Sequence, residues 1–320
     1  MACAVAQAES TNMSENMQWT VTRNFKQGIF TNYKAFMGYQ CVEGELEIVP
    51  EQAEVVKQIF DLYLAGYTFA QIKKELEKQK IKTATGNGSW DVTTIQKMLK
   101  NEKYKGDTIL QKSYTTDFLT KKRAVNQGEI QMFYIEDDHE PIIEPWIWEC
   151  VRLEMARRKK YTEEHGTNSY SHNTEQNPFA SKIVCGNCNT VFARKGWQSR
   201  NGDIRRVWQC SERYKIKGMM GCSNRHVEET TLRKVFIRAW NTLLENREQA
   251  VTEWEQAMVG DDLLARYRAK DFLQLTEKAE PIDEMDTDFM LRVLDYIKVY
   301  EEGTLVVVFL DGMEIEYRAE

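Results

Sequence analysis

No run of apolar residues in this sequence approaches the roughly 20 that a helix needs to cross a bilayer. Residues 1–10 also lack the basic flank and apolar core of a signal peptide. A cytosolic protein is therefore expected. Disulfides are rare in a reducing compartment, so the seven cysteines are expected as free thiols or metal ligands. An overall basic excess is missing too. The formal net charge is −6 and the isoelectric point lies near 5.5, which for the chain as a whole speaks against a polyanionic partner. What is present is 320 residues, 42% hydrophobic and 29% charged, enough for two or three folded units.

The average charge hides a segregated pattern. Residues 68–130 carry 13 Lys/Arg against 7 Asp/Glu, and residues 152–217 carry 14 against 6. Residues 228–320 carry 11 against 22, so the negative charge sits in a different part of the chain. Such asymmetry points to one basic face for a nucleic acid and another for protein or solvent.

Met17, Val21 and Phe25 recur every four positions over residues 14–27, an apolar helical stripe ending at Gly28. Residues 29–39 have no steady period and read as a connection. Val55, Val56, Ile59, Phe60 and Tyr63 predict an amphipathic helix between Pro50 and Gly66. Thr68 is placed to cap the next, which buries Phe69, Ile72 and Leu76. After the turn Gly86-Asn87-Gly88, Asp91 is placed to cap a helix burying Val92, Ile95, Met98 and Leu99. Two helices joined by a turn, the second exposing small polar and cationic groups, form an arrangement that fits a major groove. Period-two, β-branched and aromatic content predicts strands within 104–135. Ile147, Trp148, Val151 and Met155 predict a helix from Pro145 that runs out at Lys160. Residues 161–177 are polar and nearly without aliphatics, and read as an interdomain linker. A long helix follows from Leu232 through Leu244, and Asp311-Gly312 between two apolar alternating runs marks a C-terminal hairpin.

Cys185-Gly186-Asn187-Cys188 places two thiolates on one knuckle, and Cys210 and Cys222 complete a four-sulfur set. Four soft donors with no open position suit one structural Zn²⁺. The alternative is a CxxC redox pair with two unrelated thiols. Cys3, Cys41 and Cys150 have no such company, and His226 is expected to stand outside the metal site.

The segments Glu9-Ser10 and Ser14-Glu15-Asn16, the segment Ile48-Val49-Pro50-Glu51-Gln52-Ala53, the run Asn101-Glu102-Lys103-Tyr104-Lys105-Gly106-Asp107 and the cysteine knuckle together resemble the large serine recombinases and transposon resolvases of bacteria and phages. The resemblance implies an α+β chain. A connecting helix (1–28) would lead into a helical and mixed recombinase DNA-binding domain (29–160). A linker (161–177) and a zinc-ribbon domain with a long helix and C-terminal strands (178–320) would follow. It further implies double-stranded DNA as partner, at an attachment or resolution site of a mobile element, and self-association in the full recombinase. No membrane and no small-molecule substrate are expected, and the location would be the bacterial nucleoid. The family's catalytic domain would stand ahead of residue 14, where too few residues are present, so this chain alone is expected not to cut DNA. The stretch 259–281 is short for the family's coiled-coil insertion and lacks sustained heptads.

Within that frame Thr93, Thr94, Gln96, Lys97 and Lys100 are candidates for groove contact, with Lys103 and Lys105 reaching phosphates. Lys121, Lys122 and Arg123 are candidates for clamping the backbone. Arg157, Arg158, Lys159 and Lys160 would lie along a groove, and Arg194, Lys195, Arg200, Arg205 and Arg206 flank the zinc hairpin around Trp197. For each cationic run the competing reading is a solvated surface. Two further functions stay open: a regulator occupying recombinase sites, and a zinc-ribbon module that binds protein.

Overall fold

A computed structural model describes residues 16, 19–20, 23–24, 36–117, 122–171, 173–198, 202 and 204–318. Most of the helix expected over 14–27, including its stripe Met17, Val21 and Phe25, lies outside the described residues; Asn16, Trp19, Thr20, Arg23 and Asn24 are helical. The chain forms two compact units, one of Met1–Phe60 and Lys73–Trp148, the other of Asp61–Ile72 and Glu149–Glu320.

The first unit opens with a hairpin, β1 (Tyr39–Val42) and β2 (Glu45–Ile48), paired Tyr39 to Ile48. Helices α1 (Pro50–Leu64, assigned to this unit up to Phe60), α2 (Phe69–Lys78, assigned to it from Lys73) and α3 (Val92–Leu99) follow where the 3.6-residue period puts them. Thr68 and Gln71 cap α2 reciprocally, the Gln71 Oε1 accepting the Thr68 N–H at 2.9 Å while the Thr68 hydroxyl accepts the Gln71 N–H at 3.3 Å. Asp91 caps α3, its Oδ1 accepting the Thr93 and Thr94 N–H groups at 2.6 and 3.4 Å. A 3₁₀ turn (Glu102–Lys105) ends at Gly106, whose φ of +95° is open to glycine at little cost. Short antiparallel pairs complete the unit: β3 (Thr108–Leu110) with β6 (Phe133–Ile135), and β4 (Ser113–Asp117) with β5 (Lys122–Val125).

Tyr104 is the centre of this unit's core. It is buried, its hydroxyl donates to the Met37 carbonyl at 2.9 Å, and its ring meets Phe36 and Phe60 edge-on. Ile95, Met98 and Leu99 of α3 are buried, each contributing roughly 1.5–3 kcal/mol of apolar burial.

In the second unit, α4 (Pro145–Glu164, assigned to this unit from Glu149) precedes β7 (Ile183–Cys185), β8 (Phe192–Gln198), β9 (Ile204–Cys210) and β10 (Val227–Glu228). Helices α5 (Glu229–Glu245), α6 (Arg247–Val259), α7 (Leu263–Thr276) and α8 (Thr287–Val293) follow, then β11 (Leu294–Val299), β12 (Thr304–Phe309) and β13 (Glu314–Arg318). Two sheets result, ordered β10-β9-β8 and β13-β12-β11-β7, the pair β7 and β11 being parallel with Ile183 opposite Ile297. One core joins Phe179, Trp208, Phe236, Trp240, Phe272 and Phe309.

Residues 161–177, read from composition as a linker, hold buried side chains: Tyr161, His165, Tyr170, Ser171 and Asn173. Their polar groups are satisfied internally, for instance Tyr161 Oη donating to the Ser181 carbonyl at 2.7 Å and Tyr170 Oη to Asp295 at 2.6 Å. The stretch 259–281, read from sequence as short and without sustained heptads, contains helix α7, packed against α6. Among the described residues no helix is long and apolar enough to cross a membrane.

A four-thiolate centre and its basic surroundings

Local structure gathers the four cysteines. Cys185 ends β7, Cys210 ends β9, and Cys222 lies five residues ahead of β10. The knuckle turns back through Asn189, whose N–H donates to the Cys185 carbonyl at 2.9 Å, while the Cys185 N–H donates to the Thr190 carbonyl at 2.9 Å. All four Sγ atoms lie within 4.8 Å of one another, with Cys185 to Cys222 at 3.6 Å and Cys188 to Cys210 at 3.4 Å. A tetrahedral Zn²⁺ with bonds of about 2.3 Å would space its sulfurs by about 3.8 Å, so the donor set fits that ion. Cys185, Cys210 and Cys222 are buried, as a closed structural site requires.

The surroundings favour thiolate. Burial raises the Cys188 thiol, but the Thr190 hydroxyl at 2.8 Å and the Thr190 backbone outweigh it and bring the group down to about 7. Fully buried Asn224 donates to the Cys185 sulfur at 3.1 Å and to the Val299 carbonyl at 2.7 Å. Asn224 therefore orients a ligand and ties it to β11, a role no spacing rule picks out. His226 is not in the cluster; its ring lies 4.4 Å from Trp197.

The candidate DNA contacts separate into two groups. On α3, Thr93, Thr94, Lys97 and Lys100 are exposed and Gln96 is half-buried, opposite the buried Ile95, Met98 and Leu99. A cleft of about 430 Å³ runs beside this helix, lined by Thr85, Asn87, Trp90, Thr94 and Lys97. Lys122, Arg123, Lys195 and Arg206 are exposed, as are Lys159 and Lys160, which face Glu163 and Glu164 at 3.7 and 3.6 Å. Lys121 and Arg200 lie outside the described residues.

The second group is committed internally. Lys103 donates to the Thr108 hydroxyl at 2.8 Å, and burial pushes its ammonium down to about 8. Lys105 is held by Asp107 at 2.5 Å and lies 5.1 Å from the centre of the Trp148 ring. Arg194 makes two bonds to Glu229, at 2.6 and 2.8 Å, whereas Arg205, paired with Glu228, stays exposed at the surface. Arg157 and Arg158, placed along a groove by sequence, converge instead on the buried carboxylate of Glu154 at 2.8 and 2.6 Å. Arg157 also holds Asp295 at 2.8 Å, and Arg158 donates to the Tyr63 and Tyr67 carbonyls at 2.7 and 2.8 Å. Buried Arg268 completes the cluster 3.4 Å from Glu154. Burial opposes ionisation of Glu154, yet the three guanidinium groups hold its carboxyl well below the usual carboxylate range.

Comparison with known proteins finds two domain families along the chain. Residues 50–158 match the Recombinase domain family and residues 178–241 the recombinase zinc beta ribbon domain. Among solved structures, an LSR–DNA complex aligns with a TM-score of 0.50 and 16% identity, over 91% of this chain and 99% of that one. A structure from work on the sequence requirements of the Listeria innocua prophage attP site aligns at 0.48 and 18%, over 92% and 99%.

Proposed function

We propose that this chain, whose residues 50–158 match the Recombinase domain family and whose residues 178–241 match the recombinase zinc beta ribbon domain, binds double-stranded DNA sequence-specifically, as the targeting half of a site-specific serine recombinase. One observation carries this reading. Helix α3 is pinned at its start by Asp91 and from behind by Ile95, Met98 and Leu99, and its outer face offers Thr93, Thr94, Lys97 and Lys100 with no acidic residue in the helix. Hydroxyls and ammonium groups on a rigid short helix are what base edges and phosphates accept from a helix in the major groove. The neighbouring fold in the LSR–DNA complex supports it.

The four thiolates hold one structural Zn²⁺, which fixes the β8–β9 hairpin and with it the exposed Lys195 and Arg206. The test is selection from random duplexes at two salt concentrations. A recovered consensus, bound with an affinity that falls steeply with salt, is expected. Lys97→Ala should weaken binding and lower the salt slope by about 1 if it meets a phosphate. Salt-insensitive or absent binding would instead favour a protein-interaction role.

A further inference from the structure

The loop between the third and fourth cysteines is stapled at its base. The Arg213 N–H donates to the Cys210 carbonyl at 3.1 Å, the Gly221 N–H to the Arg213 carbonyl at 2.8 Å, and the Arg213 guanidinium to the Ser223 and Asn224 carbonyls at 2.8 and 2.5 Å. Gly221 is needed for that closure, because a Cβ there would meet the Glu212 carbonyl oxygen. The tip then turns tightly, Met219 N–H to Ile216 carbonyl at 3.1 Å, with Gly218 at φ +84°.

On this anchored tip stand four large apolar side chains left in water: Tyr214, Ile216, Met219 and Met220, 60%, 62%, 63% and 61% exposed. Single exposed apolar residues need no explanation, but four within seven positions on a stapled loop do. Cations alternate with them. Arg213, Lys215 and Lys217 interleave with Tyr214 and Ile216, and the one acid, Glu212, is occupied by Lys215 at 2.7 Å.

We propose that this loop is a wedge that enters a groove of duplex DNA, seating Ile216, Met219 and Met220 against base edges or an opened base step while Lys215 and Lys217 meet the flanking phosphates. The pattern decides the partner. An apolar protein surface would have to strip water from each interleaved ammonium group without repaying it. A DNA groove presents the complement: a floor of base edges and thymine methyls with a row of phosphates on either wall. Apolar side chains driven between base steps unstack and kink the duplex, which gives the contact a signature that phosphate binding lacks.

The proposal rests on the DNA-binding reading above and is tested so that the two fail separately. The full chain, zinc-loaded, is titrated onto the duplex recovered by selection, labelled at both ends for energy transfer, with 2-aminopurine at successive steps. The wild type is expected to bend the duplex and raise 2-aminopurine fluorescence at one step. The Ile216→Ser/Met219→Ser/Met220→Ser variant should bind about tenfold more weakly, with its salt slope unchanged and both signals lost. Lys215→Gln/Lys217→Gln should instead lower the slope by about 2. Unaltered zinc content and melting temperature certify both variants as folded.

If the wild type binds with steep salt dependence and the triple variant matches it in affinity and bending, the wedge is overturned and the general reading stands. If the triple variant loses only self-association in sedimentation, the tip is a protein contact and the proposal is overturned. If the wild type binds no duplex, both fall.

Discussion

Arg157 and Arg158 show how a charge run is misread one residue at a time. Written in sequence beside Lys159 and Lys160, they look like a basic strip, yet only the two lysines are exposed. The difference is Glu154, three and four positions earlier on α4, buried and within reach of both guanidinium groups. The i, i+3 and i, i+4 spacing was legible; that Glu154 is buried was not, because burial depends on Arg268 and on carbonyls more than 80 residues away. Glu154→Ala leaves three arginines around an uncompensated hole and should cost about 3–5 kcal/mol in urea unfolding. Because the Glu154 carboxyl lies below its ordinary value of 4.5, its contribution is whole above that pH. It is lost only as pH falls through the depressed folded value, so the wild type and Glu154→Ala should converge in strong acid.

Lys182 has the opposite sign. Burial drives its ammonium well below 10.5, with its Nζ 3.5 Å from the centre of the Tyr170 ring and 3.4 Å from the Leu294 carbonyl. The unfolded chain therefore binds more protons than the folded one between the folded value and 10.5, and stability rises with pH across that window. Lys182→Met should remove this slope, gaining most at neutral pH and little near pH 10.5. Chemical denaturation at pH 7 and pH 10 separates the two, and equal gains at both would refute the account.

At the scale of elements, helices α1 to α5 followed directly from apolar spacing and caps, because an amphipathic period needs only neighbours in sequence. The β1–β2 hairpin did not. Its four-residue strands turn through Glu43 and Gly44, both at positive φ, and its burial pattern shows no clean alternation. Helix α7 was hidden for a related reason: its buried face includes Arg268 and Thr276, which no hydrophobic template counts.

Helix α3 offers the sharpest test at this scale. The Thr93 hydroxyl and N–H hold the Asp91 carboxylate below its ordinary 3.8, so the cap is intact above that pH and is lost as pH falls through the folded value. Asp91→Ala should lower the melting temperature by about 2–4 °C and weaken DNA binding through a frayed first turn. Scanning calorimetry and titration on the same duplex check both. The run 101–107, one of the segments that carry the sequence resemblance, is a brace: Glu102 accepts the Ile109 N–H at 3.1 Å, Tyr104 fills the core, and Lys103 and Lys105 are held by Thr108 and Asp107.

For the whole molecule, the zinc centre carries the clearest consequence. Cys185 pairs through β7 with β11, and Cys210 and Cys222 flank the loop 211–221, so a metal held by the four thiolates would link both sheets of the second unit. Cys188→Ser, or chelation of the wild type, should remove bound zinc and collapse amide protection over 183–228, while residues 73–148 keep theirs. Hydrogen exchange with and without chelator reads this out. Unchanged protection in 183–228 would mean the cysteines contribute packing alone.

The sequence by itself determined what short-range rules govern: the amphipathic helices, the caps at Thr68 and Asp91, the C-terminal hairpin, the four-cysteine spacing, and basic segments in an acidic chain. Only the tertiary structure decided which cations face water. A charge's fate depends on whether a carboxylate or carbonyl from a distant segment reaches it first, as Asp295 reaches Arg157 and Glu229 reaches Arg194. The parallel pairing of Ile183 with Ile297, and the placing of Asn224 on a zinc ligand, were decided there too. Contacts across such sequence separations leave no periodic trace along the chain.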